Sequence, residues 1–154
     1  KVNPELKVIF TGSPDRHTRM GLIDNQKSKA ILRLAIAKLT EAHPRAYYFP
    51  SYEIMIDDLR DYRFYEKDLI HPNETAIEYI WNYFSNTFFD QHTKDLNNSI
   101  QKLKDALNHR PNNKNTDAHQ AFLKKTISKM AEHQLSHPEI SWLAEIEILK
   151  KQLR

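Results

Sequence analysis

Hydrophobic and polar residues are arranged along this chain with two different spacings, one typical of strands and one typical of helices. Short apolar runs that end at glycine or proline predict strands over residues 6–11 and 47–49. We expect the second run to continue beyond Pro50 as an extended, strand-edge segment over residues 51–56. The charged and aromatic residues 57–67 then predict a long, ordered loop.

Helical spacing accounts for the rest of the first 90 residues. A helix over about residues 25–42 is predicted by an apolar face that lies opposite a lysine-rich polar face, which includes Lys29. The apolar face consists of Leu32, Ala35, Ile36 and Leu39. A second helix is expected to begin at Pro72, a residue that suits the first helical turn. Its core-facing stripe consists of Ile77, Ile80, Trp81, Phe84 and Phe88.

Beyond residue 90 the pattern is helical only. One amphipathic helix contains Leu96, Ile100, Leu103 and Leu107. A loop is expected over residues 109–116, followed by a helix over residues 117–134. Residues 136–139 (SHPE) match a capping box and predict the start of a last helix. Short amphipathic helices usually bury their apolar faces within one chain, and self-association through these helices is the alternative.

The chain therefore divides into an α/β part, residues 1–90, and a helical C-terminal extension, residues 91–154. Two parallel strands do not form an independently stable sheet. We expect the remaining strands to come from polypeptide missing here or from a partner. On this interpretation residues 1–90 are the C-terminal part of a larger α/β domain.

Composition excludes several classes of protein. The 154 residues carry a net charge of +3 with acidic and basic residues interleaved, so no nucleic-acid partner is expected. No apolar run is long enough to predict a membrane span. The absence of cysteine excludes disulfides and thiol catalysis and leaves the compartment open. Two glycines are too few for a Walker A loop or a dinucleotide fingerprint.

The strongest candidate chemistry is a carboxylate three residues before a histidine. Asp68 and His71 follow the second strand-like segment and precede a helix, and ligand sites of open α/β sheets lie at such strand ends. A carboxylate can orient an imidazole, which then takes a proton from a hydroxyl nucleophile. The pair alone is a weak signal, and the alternative is that Asp68 and His71 only cap the helix or bond nearby backbone.

Several longer motifs, taken in order, resemble the C-terminal half of the GSCFA family, which is similar to the SGNH or GDSL-like hydrolases. The resemblance covers about residues 3–90. It rests on residues 10–17 (FTGSPDRH), 21–30 (GLIDNQKSKA), 48–54 (YFPSYEI), 57–65 (DDLRDYRFY) and 68–72 (DLIHP).

The resemblance implies a fold and a function. The fold is the C-terminal portion of an SGNH-like, flavodoxin-like three-layer α/β domain. The function is a serine ester hydrolase, an esterase or deacylase, in which His71 is the general base and Asp68 orients it. The family's serine lies in an N-terminal Gly-Ser-Cys-Phe-Ala motif that is absent here, so the N-terminal half of the domain is missing. The implied substrate is a small acyl ester or an acylated carbohydrate, and no cofactor is needed.

Three residues after the first strand are candidate substrate-binding residues. Ser13 borders the presumed site, and Arg16 and His17 could bind a substrate carboxylate or a sugar hydroxyl. The alternative for Arg16 and His17 is a solvated loop or a salt bridge. We expect no metal site, because the spacing of His17, Asp68 and His71 is not a recognised ligand pattern. The rival hypothesis for the whole chain is a non-catalytic binding module on a degenerate hydrolase fold.

Overall fold

The computed structural model describes residues 3–109, 111 and 116–154 of the chain. These residues form two compact units, Lys1–Phe89 and Asp90–Arg154. Most of the loop predicted over residues 109–116 lies outside the described residues. In the described part of the chain, no helix is long and apolar enough to cross a membrane.

The first unit contains a small parallel sheet. Strand β1, Val8–Thr11, pairs with strand β2, Ala46–Phe49, and the register places Val8 opposite Ala46 and Thr11 opposite Phe49. The described residues supply these two strands and no third. Both strands therefore end at the same edge of the sheet, and the loops that follow them meet there.

Helix α1, Leu22–Ala42, connects the two strands and buries a different face from the one predicted. Of the predicted apolar face only Ile36 is buried, and both Leu32 and Leu39 are exposed. Lys29 is buried instead, with 5% of its surface accessible, because its Nζ donates a hydrogen bond to the Ser13 carbonyl. Polar contacts with the loop after β1 therefore orient α1.

The segment after β2 is helical, which corrects the prediction of an extended strand. Ser51–Glu53 forms a short helix, α2, and Ile54–Leu59 continues it as a π-helical turn. The wider π spacing buries Ile54, Met55 and Leu59 together. This burial outweighs the β-branched character of the sequence. The turn ends at Arg60, whose φ is 56°, so the first part of the predicted loop 57–67 is also helical.

Helix α3, Glu74–Phe88, begins at Asn73, whose side chain caps the amide of Ala76. The Phe84 ring lies 5.0 Å from the ring of Phe49, so the helix packs against the end of β2. The stripe predicted to face the core is only partly buried within the described residues. Ile77 is 57% exposed and Trp81 is 48% exposed.

The second unit is a three-helix arrangement of α4, Gln91–Asn108, α5, Asp117–Ser136, and α6, Leu143–Lys150. Its core consists of Leu103, Leu123, Met130, Trp142, Ile146 and Leu149. The predicted capping box is wrong. Ser136 is the last residue of α5, and α6 begins after Trp142, whose backbone amide donates to the Gln134 side chain.

Candidate functional site

Two loops meet at the edge of the sheet where both strands end. The first is the loop that follows β1, and the second is the turn that carries Asp68 and His71. The backbone amide of Arg16 donates to the carbonyl of Ile70 at 3.1 Å and joins the loops directly. Residues some fifty positions apart in sequence thus become neighbours at the edge where open α/β sheets place their ligand sites.

Asp68 contacts His71 through both carboxylate oxygens. Its Oδ2 lies 2.6 Å from the ring Nδ1 of His71. Its Oδ1 accepts hydrogen bonds from the backbone amides of Ile70, at 2.9 Å, and of His71, at 3.1 Å. The carboxylate therefore fixes both the backbone of the turn and the orientation of the imidazole.

The pKa values follow from this contact. The hydrogen bond from His71, together with the two backbone amides, lowers the pKa of Asp68 to about 2. The same hydrogen bond and the negative charge of Asp68 raise the pKa of His71 above its usual value of 6.5. An ionised carboxylate can only accept, so Nδ1 carries the proton and neutral His71 has its lone pair on Nε2.

The open nitrogen of His71 is available to another group. The His71 side chain is 61% exposed, and within the described residues Nε2 has no hydrogen-bond partner. No hydroxyl of the described residues is bonded to this ring. The arrangement can accept a proton from a hydroxyl brought to Nε2, which is the action of a general base.

The turn around the pair is fixed by backbone hydrogen bonds. The amide of Glu66 donates to the carbonyl of His71 at 2.7 Å, and the amide of Leu69 donates to the carbonyl of Glu66 at 2.9 Å. Tyr65 and Pro72 form an isolated antiparallel bridge beside it. Leu69 has a φ of 58°, in the left-handed region that a leucine seldom adopts.

The other predicted site residues belong to the loop that follows β1. The Ser13 hydroxyl accepts from the Asp15 amide at 3.2 Å, and the His17 amide donates to the Asn25 side chain at 2.8 Å. The Arg16 guanidinium donates from Nη1 to the carbonyl of Leu69 at 2.8 Å. Of the three, only Arg16 forms a hydrogen bond with the turn that holds Asp68 and His71, as far as the described residues show.

The arrangement of possible metal-ligating side chains can be compared with the pair. In the part of the chain that the structure describes, no three His, Cys, Asp or Glu side chains are arranged to hold a metal. Arg16 and the rings of Tyr62 and Tyr65 lie on one side of the turn, and the carboxylates of Asp15 and Glu66 are close enough to act on the charge of His71.

An apolar groove of about 420 Å³ begins beside the pair at Pro72. One wall is the sheet face, with Ile9 and Phe49, and the other is α3, with Ile77 and Trp81. Because Ile9, Ile77 and Trp81 remain exposed, unit 1 presents an extensive apolar surface next to the site.

Comparison with known protein families assigns both parts of the chain. Residues 1–84, more than half of the chain, match the model of the GSCFA family. The chain belongs to the GSCFA family. Residues 100–154 match the C-terminal domain of GSCFA domain proteins. Neither the curated proteins nor the solved structures contain a match to this chain.

Sequence reasoning missed a second polar cluster in this GSCFA chain, at the strand ends. The hydroxyls of Thr11 and Ser51 lie 2.6 Å apart. The Gly12 carbonyl lies 2.6 Å from the Ser51 hydroxyl, and the Phe49 carbonyl lies 2.8 Å from the Thr11 hydroxyl. Each hydroxyl has one proton, so one of the two donates to the other hydroxyl while that second hydroxyl donates to its carbonyl. Thr11 ends β1 and Ser51 lies two residues beyond the end of β2, and this position beside the strand ends is the sequence signal for their meeting. The cluster ties the end of β1 and the residue after it to the start of α2.

Proposed function

We propose that this GSCFA chain supplies the general base and its orienting carboxylate to a serine ester hydrolase of the SGNH type. The observation that carries the proposal is the 2.6 Å contact between Asp68 Oδ2 and His71 Nδ1, with Nε2 left open to solvent. This is the geometry that a Ser-His-Asp triad requires of two of its members. The nucleophilic serine comes from polypeptide outside these 154 residues.

Each step of the reaction uses the same two side chains. The serine hydroxyl attacks the ester carbonyl while its proton passes to Nε2 of His71. The imidazolium is stabilised by Asp68, and it returns the proton to the leaving alkoxide as the C–O bond breaks. A water molecule then attacks the acyl-serine, again losing its proton to Nε2, and the acid is released as the serine recovers a proton.

The surface of unit 1 supports a site that additional polypeptide completes. The described residues form a sheet of two parallel strands, fewer than an independently stable sheet needs. Exposed Ile9, Ile77 and Trp81 line a groove at its face. Further strands and helices packed here would bury this surface and bring a serine to the strand ends, as in a three-layer α/β domain.

The proposed substrate is a small acyl ester or an acylated carbohydrate. Ser13 and His17 belong to the loop that follows β1 and would border the leaving group. Two tyrosines beside Arg16, Tyr62 and Tyr65, could contact a sugar face. No step of this reaction requires a cofactor.

The experiment joins the chain to the polypeptide that carries the Gly-Ser-Cys-Phe-Ala motif and measures hydrolysis of short-chain aryl esters. Replacing His71 with alanine is expected to lower kcat by about 10²–10⁴-fold, the usual contribution of a general base. The matched control is His43→Ala, because His43 is an exposed histidine that precedes β2 at the opposite end of the sheet. Equal turnover in the His71→Ala and His43→Ala proteins would favour the rival hypothesis, a non-catalytic binding module.

A further inference from the structure

We propose that Arg16 is a positioning residue that holds the turn between Asp68 and His71 and so sets the imidazole against its carboxylate. The inference rests on the proposed function of His71 as a general base. In this role Arg16 binds backbone carbonyls of its own chain, whereas the sequence suggested that it binds substrate.

Arg16 donates hydrogen bonds to two consecutive peptide groups of the turn. Its backbone amide donates to the carbonyl of Ile70 at 3.1 Å, and its Nη1 donates to the carbonyl of Leu69 at 2.8 Å. Within the described residues no other hydrogen bond reaches either carbonyl. These two carbonyls lie between Asp68 and His71, so one residue of the loop after β1 controls the peptides that connect the pair.

The turn needs these hydrogen bonds from Arg16 because its backbone is strained. Leu69 adopts a φ of 58°, where its Cβ crowds the following carbonyl oxygen. A chain free to relax would move Leu69 towards negative φ, and this rotation would swing Asp68 away from the ring of His71. A strained residue persists only where surrounding contacts over-determine it, and Arg16 supplies two of those contacts.

The surroundings of Arg16 favour an arginine over a lysine. The guanidinium carbon lies 5.5 Å from the ring centre of Tyr62 and 5.7 Å from that of Tyr65. A planar guanidinium stacks on such rings, and this fixes the direction in which Nη1 donates. The backbone of Tyr65 also forms a bridge with Pro72, the residue after His71, so Tyr65 is joined to the turn as well as to Arg16.

A positioning role and a purely electrostatic role predict opposite effects on His71. Removing a nearby cation favours protonation of a histidine and raises its pKa. Losing the hold on the turn instead weakens the contact with Asp68, which is the main cause of the raised pKa of His71, and so lowers that pKa. The direction of the change therefore separates the two roles.

The test follows the ring protons of His71 by NMR titration of the 154-residue chain. Arg16→Ala is expected to lower the pKa of His71 by a measurable fraction of the fall caused by Asp68→Asn. The control is Arg45→Ala, because Arg45 pairs with Glu5 beside the start of β2, at the other end of the sheet. That variant should leave His71 unchanged. An unchanged or raised pKa in the Arg16→Ala chain would overturn the proposal.

A second substitution tests the strain directly. Asparagine tolerates the left-handed conformation better than leucine, so Leu69→Asn should stabilise the turn without Arg16. The Arg16→Ala, Leu69→Asn double variant is therefore expected to recover part of the pKa that Arg16→Ala loses, and no recovery would contradict the role of the strain. If the Arg16→Ala chain does not fold, Arg16→Gln, which removes the charge and shortens the side chain, takes its place with the same expectations.

This measurement is independent of catalysis. It uses no substrate and no serine, so a fall in the pKa of His71 would stand even if the His71→Ala protein hydrolysed esters normally. In that case the proposed function fails and the positioning role remains. Conversely, the pKa of His71 could stay unchanged in the Arg16→Ala chain while the His71→Ala protein is inactive. That result would exclude the positioning role of Arg16 and support the proposed hydrolase function.

Discussion

Asp68 binds His71 twice within one turn, through Oδ2 to the ring Nδ1 at 2.6 Å and through Oδ1 to the backbone amide at 3.1 Å. The first contact sets the tautomer of the ring and the second sets the path of the chain that carries it. Because the two residues are three apart in sequence, a single turn of the chain is enough to bring their side chains together. Arg16, which is distant in sequence, adds a hydrogen bond that fixes the turn between them.

The first prediction concerns the protonation of the pair. Asp68→Asn removes the negative charge that favours the imidazolium, so the pKa of His71 should fall towards its usual value of 6.5. An NMR titration of the histidine ring protons measures it. Asp61→Asn is the matched control, because Asp61 accepts a backbone hydrogen bond in the same unit from Arg63. A His71 pKa that does not move in the Asp68→Asn chain would show that the contact is absent in solution.

The second prediction concerns the pH dependence of ester hydrolysis in the completed protein. General-base catalysis needs neutral His71, so kcat/KM should rise with pH through the raised pKa of His71, above 6.5. Asp68→Asn should move this rise to lower pH and reduce the plateau by about 10²-fold, since the imidazolium loses its partner. A profile whose acid limb is the same in both proteins would exclude His71 as the titrating base.

The third prediction concerns the hydroxyl pair at the strand ends. Ser51 is buried, and Ser51→Ala removes the hydroxyl that bonds to the Gly12 carbonyl and contacts the hydroxyl of Thr11. The free energy of unfolding should fall by about 1 kcal/mol, the usual net contribution of a hydrogen bond. Ser28→Ala is the control, because Ser28 is exposed within α1 and alanine favours helix. Equal stability of the two variants in urea denaturation would contradict the role of the pair.

The fourth prediction concerns His133 in the C-terminal domain. The indole N–H of Trp142 donates to Nδ1 of His133 at 3.2 Å, and Nε2 lies 2.8 Å from the hydroxyl of Ser99. A second ring proton, on Nδ1, would point at the indole N–H. Burial and the nearby His137 lower the pKa of His133 below 6.5, and the negative charge of Glu139 acts in the opposite direction. A group with a lowered folded-state pKa binds protons more readily when unfolded. The domain should therefore lose stability as the pH falls below 6.5.

Tryptophan fluorescence can isolate this effect. In a Trp81→Phe background, Trp142 is the only tryptophan and reports on the C-terminal domain. His133→Gln should flatten the dependence of Tm on pH below 6.5, whereas His92→Gln, at an exposed histidine of α4, should leave it unchanged. A slope that survives in the His133→Gln chain would assign the pH dependence to another group.

Much of the fold follows from local pattern. The two strands, α1 and α3 stand close to the predicted positions, since strand and helix periods are local properties of the sequence. The membership of the GSCFA family was also evident from its motifs. Helix formation after Pro50 was not, because it depends on burying Met55 and Leu59 together in the folded unit.

The candidate site was predictable from the sequence only where it depends on local spacing. Asp68 and His71 could be paired because their spacing alone brings them together. The partners of Arg16 and Lys29 are backbone carbonyls, which every residue possesses and which no sequence pattern marks. The sequence therefore predicts Lys29 on the polar face of α1 and leaves Arg16 between a substrate contact and a solvated loop or salt bridge, and it does not predict the carbonyl contacts of either residue.

The most direct test of the central claim needs no knowledge of the substrate. A fluorophosphonate probe forms a covalent bond to a serine oxygen only when a base removes its proton. In the chain joined to the Gly-Ser-Cys-Phe-Ala segment, the account predicts rapid labelling of the motif serine, loss of labelling in His71→Ala, and normal labelling in His43→Ala. Labelling at the same rate with and without the His71 imidazole would contradict it.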